Sequence, residues 1–322
     1  MRLYVAIGGW LLGALLLCAG PAQAGQDGEG FDWLKVAIFA GHQTNYSGVF
    51  VYQHDDHVET SRITHAVGGD GEYERLESLD GPRREIVRHH GEVWSYVGHE
   101  MVQMDNQSGM GKFPSLPPEQ LAALGANYHA RLQGVERVAG YDAQAILFYP
   151  KDNLRYIHKI WVHKDSGLML KAAVLGSRQQ LIEQYAFTQL QIGGKVDHSW
   201  AKRDTRRSAV RQQDTHGAGV PVNSGWVADG LPAGFQKTLE IQRPMHGNHA
   251  PVTQIVYSDG FGAISVFIEV SDNDEDDVEG LSSRGAVNLY HKVVGDHLFT
   301  VVGEVPPHTV MRVLNSIRYN GK

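Results

Sequence analysis

Between residues 48 and 190 the chain divides repeatedly into short runs of strand-forming residues separated by turn signals, and this pattern limits the fold more than any other feature. The first group of runs spans Gly48–Gln53, Glu59–Val67, Glu72–Asp80, Arg84–His89 and Glu92–Gly98, with His90-Gly91 as a tight turn. The second spans Tyr128–Glu136, Tyr141–Tyr149, Arg155–His163, Leu168–Leu175 and Leu181–Leu190, with turns at Ala139-Gly140 and Asp165-Ser166-Gly167. Strands joined by connections this short can pair only antiparallel, because a parallel crossover needs a dozen or more residues. Two helical patterns frame the runs. Phe31, Leu34, Ile38 and Gly41 share one face, with Asp32 as an expected cap and Trp33, Val36 and Phe39 widening the apolar arc to a helix covered on most sides. Pro117-Pro118-Glu119-Gln120 reads as a second helix start, followed by Leu121, Leu124 and Tyr128 after a loop at Met104–Leu116. The expected fold class is α+β: a curved antiparallel sheet wrapped over helices.

A composition change near Asp197 opens a linker to Gly225, which carries Lys202, Arg203, Arg206, Arg207 and Arg211 with few large apolar residues. Beyond it a second, smaller unit repeats the strand signal at Phe235–Gln242, Val252–Ser258, Ala263–Val270, Ala286–Val294 and His297–Glu304, with Gly295-Asp296 as a hairpin turn. Pro306-Pro307 then introduces a helix with Val310, Val313, Leu314 and Ile317 on one face.

The first residues have the layout of a secretory signal: Arg2, an apolar stretch from Ile7 to Ala19, and Ala22-Gln23-Ala24 as the cleavage site, so residues 1–24 are expected to be removed. Cys18, the single cysteine, leaves with them. That excludes disulfides, a cysteine nucleophile and thiolate metal sites, and leaves core burial to stabilise about 300 residues. The net charge of −7 disfavours nucleic acid and anionic membranes as partners.

Motifs that carry chemistry are missing. There is no Gly-x-Ser-x-Gly, and Gly68-Gly69-Asp70-Gly71 lacks the lysine of a phosphate loop. The acidic run Asp272-Asn273-Asp274-Glu275-Asp276-Asp277 has Asp277 where a calcium loop needs glycine and Ser283 where it needs glutamate, so the Asp272–Glu279 stretch receives no cation assignment. His54-Asp55-Asp56-His57, His89-His90 and His99 offer donors without a converging metal pattern. No metal, cofactor or catalytic residue is assigned, and the chain reads as a binding protein rather than an enzyme. Phe50, Tyr52, Trp94, Tyr96, Phe148, Trp161 and Leu170 fall on expected strands. They are either ordinary core, the commoner role, or the wall of an apolar cleft able to take an acyl chain.

Asn45-Tyr46-Ser47-Gly48-Val49-Phe50-Val51-Tyr52, Arg83-Arg84-Glu85-Ile86-Val87-Arg88 and the Trp94 strand resemble the RseB/MucB family. So do Gly225-Trp226, Leu231-Pro232-Ala233-Gly234-Phe235, Tyr257-Ser258-Asp259-Gly260, Ser265-Val266-Phe267 and Gly303-Glu304-Val305-Pro306-Pro307. The resemblance implies a LolA/LolB-like half-open barrel over helices at 25–196, a linker at 197–225 and a C-terminal domain at 226–322. It implies a periplasmic regulator of the envelope-stress sigma-E pathway (the alginate sigma factor in some bacteria). Such a regulator binds the periplasmic part of the anti-sigma factor RseA or MucA, shields it from DegS-type proteolysis, and is released by lipid or lipopolysaccharide. A homo-oligomer is compatible with the sequence, and the alternative function is a periplasmic lipid or lipoprotein carrier.

Overall fold

The computed structural model describes residues 22–89, 91–98, 100–104, 121–201, 219–244, 250–271 and 279–321. The expected signal segment through residue 21, the 105–120 loop and helix start, the basic linker residues, the acids at 272–278, His90 and His99 lie outside the described residues. Among the described residues no helix is long and apolar enough to cross a membrane.

The first helix, α1 (Ala22–Gln43), begins before the sequence pattern that announced it. Leu34, Ala37 and Ile38 are buried, whereas Val36 and Phe39 are about half exposed. The helix therefore buries one face, not most of its circumference. Asp32 is not a cap either: it lies inside α1 and pairs with Lys35 at 2.9 Å.

Strands β1 (Tyr46–His54), β2 (His57–Gly68), β3 (Gly71–Ser78), β4 (Arg84–His89), β5 (Glu92–Val97) and β6 (Glu100–Met104) form the first meander. After α2 (Leu121–Asn127), β7 (Tyr128–Val138), β8 (Tyr141–Pro150), β9 (Ile157–His163), β10 (Met169–Leu175) and β11 (Leu181–Ile192) form the second. Pairing of β1 with β11 joins them into one eleven-stranded sheet, in the order β6-β5-β4-β3-β2-β1-β11-β10-β9-β8-β7. Tyr128 opens β7 and does not end the second helix. The sheet curls strongly. Tyr141 on β8 donates to the Leu190 carbonyl on β11 at 3.0 Å, although β9 and β10 lie between and three flat strand spacings would be about 14 Å. The curl leaves β6 and β7 as edges, so the barrel is half open.

Two apolar clusters hold this domain. Leu34, Ile38, Leu124, Tyr128, Ile146, Phe148, Ile160 and Val162 join the helices to β7–β9. Tyr46, Phe50, Ile63, Leu76, Trp161, Leu170 and Phe187 form the other across the sheet.

The second domain is a seven-stranded antiparallel sheet, β12 (Val220–Pro221), β14 (Gln236–Arg243), β15 (Val252–Ser258), β16 (Ala263–Val270), β19 (His297–Gly303), β18 (Val287–Val294) and β17 (Glu279–Arg284) in spatial order. A ribbon of β13 (Trp226–Ala228) and β20 (Ile317–Tyr319) lies beside it. Helix α3 (Pro307–Leu314) buries Thr309, Val310, Val313 and Leu314. The expected helical face is corrected at one position: α3 stops at Leu314, and Ile317 pairs with Ala228 in the ribbon.

Candidate functional site at the domain seam

Eleven polar or charged residues are buried among the described residues, and six of them stand where the two domains meet: His54, Arg155, Glu183, Asp259, Asn288 and Thr309. Buried polar groups are costly unless paired, so this concentration marks the seam as a specific, hydrogen-bonded joint.

The first domain contributes the β8–β9 loop. Pro150 ends β8, and Asp152 accepts the Leu154 amide at 3.0 Å, turning the chain so that residues 153–156 all face the second domain. The Asn153 carbonyl meets His308 at 2.9 Å, and the Leu154 carbonyl accepts from the Thr309 hydroxyl at 3.0 Å. Arg155 donates to Asp259 through Nε at 2.7 Å, and its other nitrogens reach Asp152 and the Ala233 carbonyl. The Tyr156 hydroxyl accepts from Asn288 at 2.9 Å.

The second domain answers with the β15–β16 turn. Asp259 accepts four hydrogen bonds, which use its lone pairs fully. Oδ2 takes Arg155 and the Tyr128 hydroxyl (3.0 Å); Oδ1 takes the amides of Phe261 (3.0 Å) and Gly262 (2.9 Å). Burial, and then the Asp259 charge, hold the Tyr128 phenol well above its usual pKa, so it remains a donor. The turn projects Phe261 into the first domain. Its ring lies 4.6 Å from His158, stacked, and 5.1 Å from both Tyr128 and Phe148; Phe31 closes on Phe148 at 5.5 Å. His158 is only partly buried as a residue, but its ring is stripped of water here, and its pKa falls to about 4 despite the opposing charge of Asp259.

A second joint forms at the β17–β18 turn. The Gly285 amide donates to Asp55 at 3.1 Å and the Ala286 amide to Glu183 at 3.0 Å; Tyr52 also donates to Glu183 at 3.0 Å. Gly285 has φ +56, and a Cβ there would lie 2.6 Å from the Glu183 carboxylate, so any other residue adds backbone strain and pushes that carboxylate aside. The Gly285 bond is the chief reason that the Asp55 carboxyl sits below its usual pKa.

The MucB/RseB N-terminal domain family matches residues 29–205, and the MucB/RseB C-terminal domain family matches residues 221–318. The chain belongs to the MucB/RseB family. It is 33% identical over 319 residues to the Sigma factor AlgU regulatory protein MucB of Pseudomonas aeruginosa, covering 96% of this chain and 95% of that protein. It is 27% identical over 304 residues to the Sigma-E factor regulatory protein RseB of Salmonella typhimurium, covering 92% and 93%. Among solved structures, the Pseudomonas aeruginosa MucA/MucB complex matches with a TM-score of 0.74 at 30% identity, covering 91% of this chain and 100% of that one. A crystal structure of MucB with MucA(peri) matches at 0.69 and 31%, covering 90% and 99%.

Within this MucB/RseB chain the seven groove candidates part company. Phe50 and Leu170 are fully buried and Trp161 nearly so, all three in one cluster. Trp161 is enclosed by Glu136, which accepts its indole N–H at 2.7 Å, and by the ammonium groups of Lys159 and Lys171 at 4.4 and 4.5 Å from the ring. Phe148, also fully buried, belongs to the other cluster and touches Phe261. Tyr52 stands at the seam, stacked on Tyr185 at 4.4 Å. Trp94 and Tyr96 are half-buried on β5, far from the seam in strand order, with the Trp94 indole donating to Glu92 at 3.2 Å. Sequence reasoning missed Arg155, Asp259, Phe261, Glu183 and Asn288. The only signal was Asp259-Gly260, which reads as a turn and says nothing of what the turn meets. Among the described residues no three His, Cys, Asp or Glu side chains gather as a metal-ligand set.

Proposed function

We propose that this chain is a periplasmic negative regulator of an envelope-stress sigma factor. It binds the periplasmic segment of a membrane-spanning anti-sigma factor of the RseA/MucA type and shields that segment from DegS-type proteolysis. The observation that carries this reading is the end-to-end similarity to MucB, including the MucB solved together with MucA. The seam supports it physically. Two domains joined by a few specific hydrogen bonds and one aromatic wedge, rather than by a broad apolar face, form a joint of the kind that opens as a unit, which suits a switchable binder. Lipid or lipopolysaccharide would release the partner by favouring the state that grips it less, and a tenfold loss of affinity needs about 1.4 kcal/mol of differential binding.

The groove role assigned from sequence narrows, in this reading, to the aromatic chamber that contains Phe148. A lipid or lipoprotein carrier finds less support, because such a carrier has no use for a second domain joined so specifically to the first. The test is retention: the full chain should hold the periplasmic segment of the anti-sigma factor through size-exclusion chromatography. Separate elution of the two at micromolar concentration refutes the proposal.

A further inference from the structure

The tip of the β15–β16 turn presents two groups to the first domain, separated by one residue. The Asp259 carboxylate lies against Arg155 Nε (2.7 Å) and the Tyr128 hydroxyl (3.0 Å), and the Phe261 ring fills a box of Phe31, Tyr128, Phe148 and His158. An anion beside a cation, with an apolar body in the adjoining chamber, is the chemical outline of an anionic amphiphile. We propose that the Asp259–Phe261 turn is an intramolecular stand-in for an anionic single-chain amphiphile, which competes with it for Arg155 and the aromatic box. The inference rests on the ligand-release part of the function proposed above and gives it a location.

Three features of the first domain fit such a ligand. The box adjoins the apolar core of Leu34, Leu124, Ile146 and Val162, against which Phe31, Leu121 and Leu132 also pack, so its surroundings are apolar. Its one basic ring, His158, is held neutral by burial, and the Tyr128 phenol stays protonated, so the rings add no charge to the chamber. At its mouth Arg155 keeps Asp152 as a partner within the first domain, while its Nε and one terminal nitrogen are spent on Asp259 and Ala233 of the second. Departure of the second domain would free that edge of the guanidinium and the Tyr128 hydroxyl together, a donor set suited to a carboxylate or a phosphate. Phe261 is itself only partly buried while the domains are joined. Ligand entry and domain separation are then one event, because head and tail each displace a group of the same turn.

The experiment is calorimetric titration of the full chain, below micelle concentrations, with sodium dodecanoate, dodecyl phosphate and dodecyltrimethylammonium. Phe261→Ala should bind at least one anionic probe ten times or more tightly than the wild type, a gain of about 1.4 kcal/mol. Adding Arg155→Met should remove that gain. A preference for one anion over the other identifies the head group; equal binding of the cationic probe, or no gain in Phe261→Ala, overturns the proposal. Should Phe261→Ala fold poorly, small-angle scattering of the wild type decides: saturating anionic probe must increase the radius of gyration, and an unchanged radius refutes the mechanism. Retention of the anti-sigma segment, measured on the same samples, separates the two ideas. A wild type that retains the segment while Phe261→Ala gains nothing sinks only this inference. A wild type that never retains it sinks the regulatory reading.

Discussion

Replacing Asp259 by alanine leaves Arg155 buried beside an empty space, and the expected damage follows from the bonds involved. Asp259 is 2% exposed and the Arg155 side chain equally so, and their contact at 2.7 Å is the one ion pair among the described residues in which both side chains are that deeply buried. Removing one partner of such a pair costs about 3–5 kcal/mol, most of it from the charge left behind. The amides of Phe261 and Gly262 lose their acceptor as well, which adds about 1 kcal/mol for each bond. Asp152 continues to neutralise part of the Arg155 charge, so the lower end of the range is expected. Arg155→Met alone should also destabilise, because it strands the Asp259 carboxylate. The double variant should then cost less than the sum of the two, with a coupling energy of at least about 1.5 kcal/mol. Urea titrations followed by tryptophan fluorescence and by small-angle scattering measure both unfolding and domain separation. Additive single effects, or an Asp259→Ala cost below about 1 kcal/mol, would refute the claim that this pair locks the seam.

Three further outcomes follow from the same geometry. Gly285→Ala should weaken the second joint by about 1–3 kcal/mol, since the new Cβ meets Glu183 and φ is +56; a urea midpoint equal to the wild type would contradict this. His158 has a folded pKa of about 4 against an ordinary 6.5, so its contribution is complete above pH 6.5 and is lost as pH falls toward 4. His158→Phe should flatten the acid dependence of stability across that window, and an unaltered pH profile would dismiss the assignment. Phe50→Ala should lower stability by about 3–5 kcal/mol, because Phe50 is fully buried in core; a large loss of amphiphile binding at unchanged stability would instead make it a groove wall.

The strands were legible because half-buried β structure alternates. Tyr46 to Phe50 and Ala263 to Ile268 show that alternation in the structure as in the sequence, and the turns at Ala139-Gly140 and Gly295-Asp296 carry positive φ at the expected places. Strand β17 escaped notice because Glu-Gly-Leu-Ser-Ser-Arg has few strand formers and gains its pairing wholly from β18. Strand β6, five residues at the far edge of the sheet, carries no expectation from sequence, and its pairing comes wholly from β5. The seam was illegible on different grounds. Arg155 and Asp259 lie 104 residues apart, and neither position has a local pattern that predicts a partner. Phe261, between two glycines, reads as a turn residue until the surface it enters is known. Aromatics on strands mark core and cleft alike, which is why Phe50 and Phe148 could not be told apart before their neighbours were seen.

One rate tests the regulatory role most directly: cleavage of the anti-sigma factor's periplasmic segment by a DegS-type protease, with and without the full chain in molar excess. Stoichiometric slowing of that cleavage, reversed by added lipopolysaccharide, is the expected result. Cleavage at the same speed in the presence and absence of the chain would contradict it.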